Sequence, residues 1–124
     1  MSQDIVADAL NQIINLKKAG KSELELQKSS NFLLQVLAIA KLHGYLKSYS
    51  IENKKLKVAI AKLHGCGAIK PRYAVQVDEI EKFISRYLPA KNIGILIIST
   101  PQGLMTHQTA IEKNLGGSLI AYMY

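Results

Sequence analysis

The sequence has little that would suit secretion, membrane insertion, metal binding or covalent chemistry. Its apolar runs fall well short of the about 18 residues that a spanning helix needs, and no basic-then-apolar segment opens the chain. Neither a membrane span nor a secretory signal is expected, and the expected location is the cytoplasm. The single cysteine, Cys66, excludes an internal disulfide, and nothing near it has the paired spacing of a structural zinc site. His64-Gly65-Cys66-Gly67 places a histidine close to that cysteine, but a metal needs about four ligands and no partner motif follows. The segment reads as a glycine-rich connector, with no metal or cofactor expected. Ser99 and Thr100 with His107 are residue types a hydrolase uses, yet no G-x-S-x-G surrounds either hydroxyl and no acidic partner completes the set. No catalytic residue, small-molecule substrate or enzyme activity is assigned. Asp4 and Asp8, one helical turn apart, read as solvated carboxylates at a helix start rather than an acid/base pair.

Acidic residues are also scarce. Nine Asp and Glu face sixteen Lys and Arg, a formal charge of +7. The excess is concentrated: residues 17–72 carry twelve basic groups against Glu23, Glu25 and Glu52, whereas residues 73–124 balance four against four. A basic stripe of this kind attracts polyanions, nucleic acid first, through phosphate contacts and counterion release. A solvated basic surface carries the same signature, so charge alone leaves both readings open.

With 124 residues and 48% hydrophobic content, the chain can bury a core as one domain or two small lobes. From Asp4 to Ala19, apolar Ile5, Val6, Ala9, Leu10, Ile13, Ile14 and Leu16 recur at helical spacing, and Gly20 supplies a stop. Lys17 and Lys18 in the last turn, with Lys21 beyond, satisfy the helix dipole and could equally meet phosphates. Ser22 to Leu26 alternates as a half-buried strand does. Ser29 or Ser30 can cap a second helix through Phe32, Leu33, Val36, Leu37 and Ala40, which stops at His43-Gly44. Tyr45 to Ile51 and Leu56 to Lys62 then read as a hairpin turning through Glu52-Asn53-Lys54. Lys54, Lys55 and Lys57 there read as edge charges.

Beyond the connector, Ala68 to Val75 reads as an extended arm that Pro71 keeps off any interior strand, with Lys70 and Arg72 as candidate phosphate ligands. Asp78 and Glu81 have the spacing of a capping box for a helix ending near Tyr87-Leu88-Pro89. Gly94 to Ser99 is a buried strand whose end runs into Thr100, Pro101, Gln102 and Gly103, a polar turn on an apolar support. Thr106 can cap a short helix from His107 to Lys113, and Gly116-Gly117 turns the chain into a closing strand, Ser118 to Tyr124. The expected fold class is therefore α+β in two small lobes. Residues 1–64 run α-β-α-β-β, and residues 65–124 are mostly β with short helices. A near-neutral second lobe that bound RNA would rely on hydroxyl and backbone hydrogen bonds, which suit the shallow minor groove and unpaired bases of RNA.

Several separated motifs carry a family resemblance. Ser99-Thr100-Pro101-Gln102-Gly103-Leu104-Met105-Thr106, followed by Gly116-Gly117-Ser118-Leu119-Ile120-Ala121-Tyr122, resembles the signature of the universal S-eight family of small-subunit ribosomal proteins. Asp4-Ile5-Val6-Ala7-Asp8 with Asn15 is similar to that family's first helix. Ile69-Lys70-Pro71-Arg72-Tyr73 and Arg86-Tyr87-Leu88-Pro89-Ala90 resemble its archaeal branch. The resemblance implies a structural, RNA-binding component of the small ribosomal subunit that binds the central domain of small-subunit rRNA, helps assemble the platform and touches neighbouring ribosomal proteins. Carried over by motif, Ser99, Thr100, Gln102 and Gly103 would approach the RNA, with Thr106 supporting the turn. Gly116 and Gly117 would admit another backbone segment, and Lys17, Lys18, Lys21, Lys70 and Arg72 would hold phosphates. Two departures stand out. Pro101 replaces a serine usual in the family, removing a hydroxyl and an N–H from the turn, and Ile5 replaces a proline at the start of the first helix. A basic protein-interaction module is the rival reading; salt titration separates the two, since RNA affinity falls steeply with salt.

Overall fold

The computed structural model describes residues 5–26, 30–69, 73–90 and 93–124. In chain order the elements are α1 (Ile5–Lys18), β1 (Glu23–Leu26), α2 (Asn31–Leu42), β2 (Leu46–Glu52), β3 (Lys55–Ile60), β4 (Cys66–Ala68) and β5 (Ala74–Val75). They continue with a 3-10 turn (Val77–Glu79), α3 (Ile80–Tyr87), β6 (Ile95–Thr100), β7 (Gly103–Thr106), α4 (His107–Glu112) and β8 (Gly117–Met123). The fold is α+β, and the chain divides into two compact units, Met1–Gly67 and Ala68–Tyr124. No described helix is long and apolar enough to cross a membrane.

The first unit has the expected α-β-α-β-β order. Its sheet runs β1-β3-β2, antiparallel throughout. In β3, Leu56, Val58 and Ile60 are buried while Lys55 and Lys57 are exposed, the period-two pattern of a sheet with one dry face. The two helices supply Val6, Ala7, Ala9, Leu10 and Ile13 from α1 and Leu33, Val36, Leu37 and Ala40 from α2 to the buried set. Each fully buried leucine or isoleucine stabilises by about 1.5 to 3 kcal/mol through surface removed from water. Ser30 caps α2, its side chain accepting from the Leu33 N–H at 3.1 Å. Asn53 and Lys54 both have positive φ, 51° and 64°, as a two-residue hairpin turn of the I′ type requires.

Three of the four α-helices, α1, α2 and α4, stop by one recurrent device. Gly20, with φ at 79°, donates its N–H to the Lys17 carbonyl while Lys21 donates to Leu16, a Schellman motif. Gly44 and Tyr45 repeat it at the end of α2, and Asn114 and Leu115 at the end of α4, where asparagine takes the left-handed position at φ 56°.

The second unit is built on a sheet of order β4-β8-β6-β7, with β5 also pairing with β8. Leu96, Ile98, Met105 and Leu119 form one core cluster with Ile80, Ile84 and Leu88 of the α3 region and Ala110 of α4. Ile95 and Ile97, which alternate with that set along β6, are buried as well, so the strand is dry on both faces and reads as an unbroken apolar run. In β8 the register slips by one residue: Ile97 faces Ala121 and Ile98 faces Leu119, leaving Ile120 as a bulge.

Several expectations need correcting. The glycine-rich segment around Cys66 does fall where the chain passes from one unit to the next, but it is not an irregular loop throughout: Gly65, Cys66 and Gly67 are buried and β4 begins at Cys66. The turn leading into α3 is set by Gln76 and Glu79, not by Asp78 and Glu81. The Gln76 N–H donates to Glu79 Oε1 at 3.1 Å, because the chain takes a 3-10 turn before α3 begins. Gly103 to Thr106, read as part of a turn, is strand β7, so the stretch from Gly94 onward folds as a hairpin before α4 starts. Of the expected arm, Ala74–Val75 is strand β5, and Lys70, Pro71 and Arg72 lie outside the described residues, as does Ser29.

Candidate nucleic-acid interface

The site is built from the far end of β6. Side chains alternate along that strand, and the core claims the parity of Leu96 and Ile98, so Thr100 follows them inward and Ser99 goes to the opposite face. Strand pairing then sets Ser99 in a row. Leu104 of β7 lies opposite it on one side and Ser118 of β8 on the other, and Ala74 of β5 lies opposite Ser118. Directly paired residues share a face, so the row runs across four strands, with Leu104, Ser99 and Ser118 half-buried and Ala74 exposed. Among the described residues neither serine hydroxyl has a hydrogen-bond partner, which leaves both able to donate to or accept from a ligand. Ser118 was not singled out from the sequence. Its position beside Ser99 depends on the register of β8, bulge included, which no local pattern reveals.

The turn next to this row is rigid. Pro101 and Gln102 form its exposed tip, and Gly103 carries the positive φ, 114°. Thr100 holds the turn from beneath. Its Oγ1 donates to the Gly103 carbonyl at 2.8 Å, accepts from the Gln102 N–H at 3.2 Å and lies 3.9 Å from Met105 Sδ, with only 8% of the residue exposed. The Thr100 hydroxyl thus serves the turn itself, donating one bond and accepting another within it. Because Thr100 takes up the Gln102 N–H, the proline at 101 costs the turn no internal bond. Ser99, Gln102 and Gly103 remain at the surface.

Thr106 is buried at the start of α4, where its Oγ1 accepts from the Thr109 N–H at 3.3 Å and lies 3.2 Å from the Thr109 hydroxyl. It acts as the helix cap the sequence suggested. One residue on, His107 is 3% exposed and its Nδ1 accepts the Leu96 N–H at 3.1 Å. Strand β7 ends opposite Ile97, and the imidazole continues the ladder with a side-chain acceptor. With Nδ1 so used and Thr100 bonded to Gly103, the hydroxyls and this histidine do not form a nucleophile–base pair.

Gly116 and Gly117 do admit close backbone, and the backbone is this chain's own. A Cβ on Gly116 would lie 2.6 Å from the Val75 carbonyl oxygen, and one on Gly117 would collide with the Ser99 carbonyl. The glycines thus let β8 draw against β6 and β5, which is what aligns Ser118 with Ser99.

The basic candidates sit elsewhere. In the first unit, Lys17 is half-buried and Lys18 exposed in the last turn of α1, and Lys21 is exposed just past it. Lys70 and Arg72 fall outside the described residues. At the hairpin of the first sheet, Lys57 bonds Glu52 at 2.8 Å and Lys55 approaches Glu25 at 3.8 Å; β3 lies between β1 and β2, so these two lysines pair across the exposed face of a central strand and are not the edge charges expected. Glu52 also holds the Lys57 ammonium charged to higher pH than usual, first by that hydrogen bond and then by its charge. Among the described residues no group of His, Cys, Asp and Glu could hold a metal ion. Burial pushes the Cys66 thiol up to about 12 and its Sγ donates to the Leu10 carbonyl at 3.6 Å, so near neutral pH it stands as a neutral thiol.

Comparison with known families places these features in context. Residues 4–124 match the model of one family, described as Ribosomal protein S8.

Proposed function

Since the chain belongs to the ribosomal protein S8 family and is a structural component of the small ribosomal subunit, we propose that it binds the central domain of small-subunit rRNA and helps build the platform there. Ser99 and Ser118 meet the RNA in this reading, together with Gln102 and the backbone at Gly103. Thr100, Thr106, Gly116 and Gly117 hold that surface in shape from within. Lys17, Lys18, Lys21, Lys70 and Arg72 hold phosphates. The supporting observation is the pair of serine hydroxyls, Ser99 at the end of β6 and Ser118 opposite it on β8, that have no hydrogen-bond partner among the described residues. Hydroxyls on a rigid sheet suit 2′-hydroxyls and base edges in a wide, shallow groove, and a rigid support keeps the entropy lost on binding small. Within the family the motif at 69–73 favours the archaeal branch.

A titration of the purified protein against a central-domain rRNA fragment tests the reading. Ser99→Ala combined with Ser118→Ala is expected to cost about 2 kcal/mol, roughly thirtyfold in Kd, with the salt slope unchanged. Replacing Lys17, Lys18 and Lys21 by Gln should weaken specific and nonspecific RNA alike and flatten the salt slope by about 2. A serine double variant that binds as tightly as the parent sinks the assignment of the row.

A further inference from the structure

β2 is the outermost strand of the first sheet. It pairs with β3 on one side, and among the described residues no strand lies on its other side. The two-residue turn decides which of its backbone groups face outward. Residues flanking such a turn, here Glu52 and Lys55, exchange both hydrogen bonds, and the pattern alternates back along the strand. Ser50 therefore also faces β3, whereas Tyr49 and Ile51 direct their N–H and C=O groups away from it.

Natural edges of this length are shortened, charged or covered. The seven residues of β2 are only partly protected: the bulge and Lys47 lie at its start, and its second half carries Ile51, 53% exposed. Tyr49 is half-buried beneath the Lys41 ammonium, 5.9 Å from its ring centre. The charges along this edge are of one sign. Lys41, Lys47 and Lys54 are exposed, and the strand's one carboxylate, Glu52, is already bonded to Lys57.

We propose that the outer edge of β2 at Tyr49 to Ile51 is a docking strand for an extended segment of another protein of the small subunit, one that sets an apolar side chain beside Ile51 and carboxylates toward Lys47 and Lys54. Strand addition satisfies donors and acceptors of Tyr49 and Ile51 together. A nucleic-acid backbone does this less well, because its phosphates only accept, its 2′-hydroxyls do not repeat at the spacing of strand N–H and C=O groups, and nothing in it matches the aliphatic surface of Ile51. The inference rests on membership of the subunit and not on the serine row.

Amide exchange of the protein free and in reconstituted small subunits tests it, together with a benzophenone cross-linker attached through Ser48→Cys. The Tyr49 and Ile51 amides should slow by about a hundredfold on assembly, and the cross-link should land on a protein segment with acidic residues flanking an apolar one. Ile51→Pro removes an N–H that does not bond β3, so it should keep rRNA-fragment affinity while abolishing the slowing at Tyr49. Should that variant lose stability, Lys47→Glu with Lys54→Glu carries the test and should reduce the slowing about tenfold. Equal exchange rates free and assembled, a cross-link to rRNA, or full protection in a folded Ile51→Pro protein would each overturn the proposal. Loss of rRNA-fragment binding is a separate readout and bears on the serine row alone.

Discussion

The two units bury polarity differently. Among the described residues the first unit's buried side chains are aliphatic apart from the Cys66 thiol, whereas the second unit buries Thr100, Thr106 and His107 within eight positions of one another. Apolar burial is non-directional and tolerates small shifts, while a buried hydroxyl or imidazole is stable only in the geometry that satisfies it. The three polar groups tie the β6–β7 turn, the start of α4 and the end of the β-ladder to one another. Rigidity of that kind is needed where hydroxyls must present a fixed contour. It is not needed where lysines meet phosphates, since a charge on a flexible stem works over a range of distances.

Four substitutions would break or sharpen this contrast. The largest effect is expected from Gly117→Val, which forces β8 away from the Ser99 carbonyl; a loss of more than about 3 kcal/mol in urea unfolding is expected, and a value under about 1 would mean that the β6–β8 contact yields to a side chain. Next, His107→Ala leaves the Leu96 N–H buried without its acceptor and opens a cavity, so about 2 to 3 kcal/mol should be lost. A truncation such as Leu46→Ala in the first unit loses only packing, and comparing the two losses separates the polar share.

The smallest effect concerns Cys66. Its folded value is raised above the ordinary 9.0, so the stabilising neutral thiol is fully retained below pH 9 and its contribution is lost as pH climbs from 9 toward 12. Cys66→Ser and the parent should therefore differ in alkaline slope, with the parent losing about 1 kcal/mol by pH 10 from this group. Identical slopes would show the thiol to be hydrated.

Much of this architecture was legible from local chemistry. The helical spacing of Val6, Leu10 and Ile13, the stops at Gly20 and Gly44 and the turn at Asn53-Lys54 all depend on interactions within a few residues, which a linear pattern records. Strand β7 was not legible, because Gly103 and Thr106 are turn and cap residues by type and only pairing with β6 makes them a strand. The two capping boxes at Gln76/Glu79 and Asp78/Glu81 have identical spacing, so the choice between them fell to the 3-10 turn. In the site, Ser99 and Thr100 look alike in sequence but lie on opposite faces of β6, and only Thr100 is bonded within the turn. Counting parity from Leu96 and Ile98 would have separated them, whereas Ser118 needed the bulge at Ile120 as well.

The tip of the β6–β7 hairpin has one chemical bias. Pro101 possesses no amide hydrogen, and that of Gln102 is already engaged by Thr100. The first two positions of the bend consequently show a visitor lone pairs from their carbonyls, with the Gln102 side chain as the only hydrogen to give. An anion would find few donors there, while a ribose hydroxyl or an exocyclic amine would find acceptors, so under the proposed RNA contact this corner would favour sugar and base over phosphate by polarity alone.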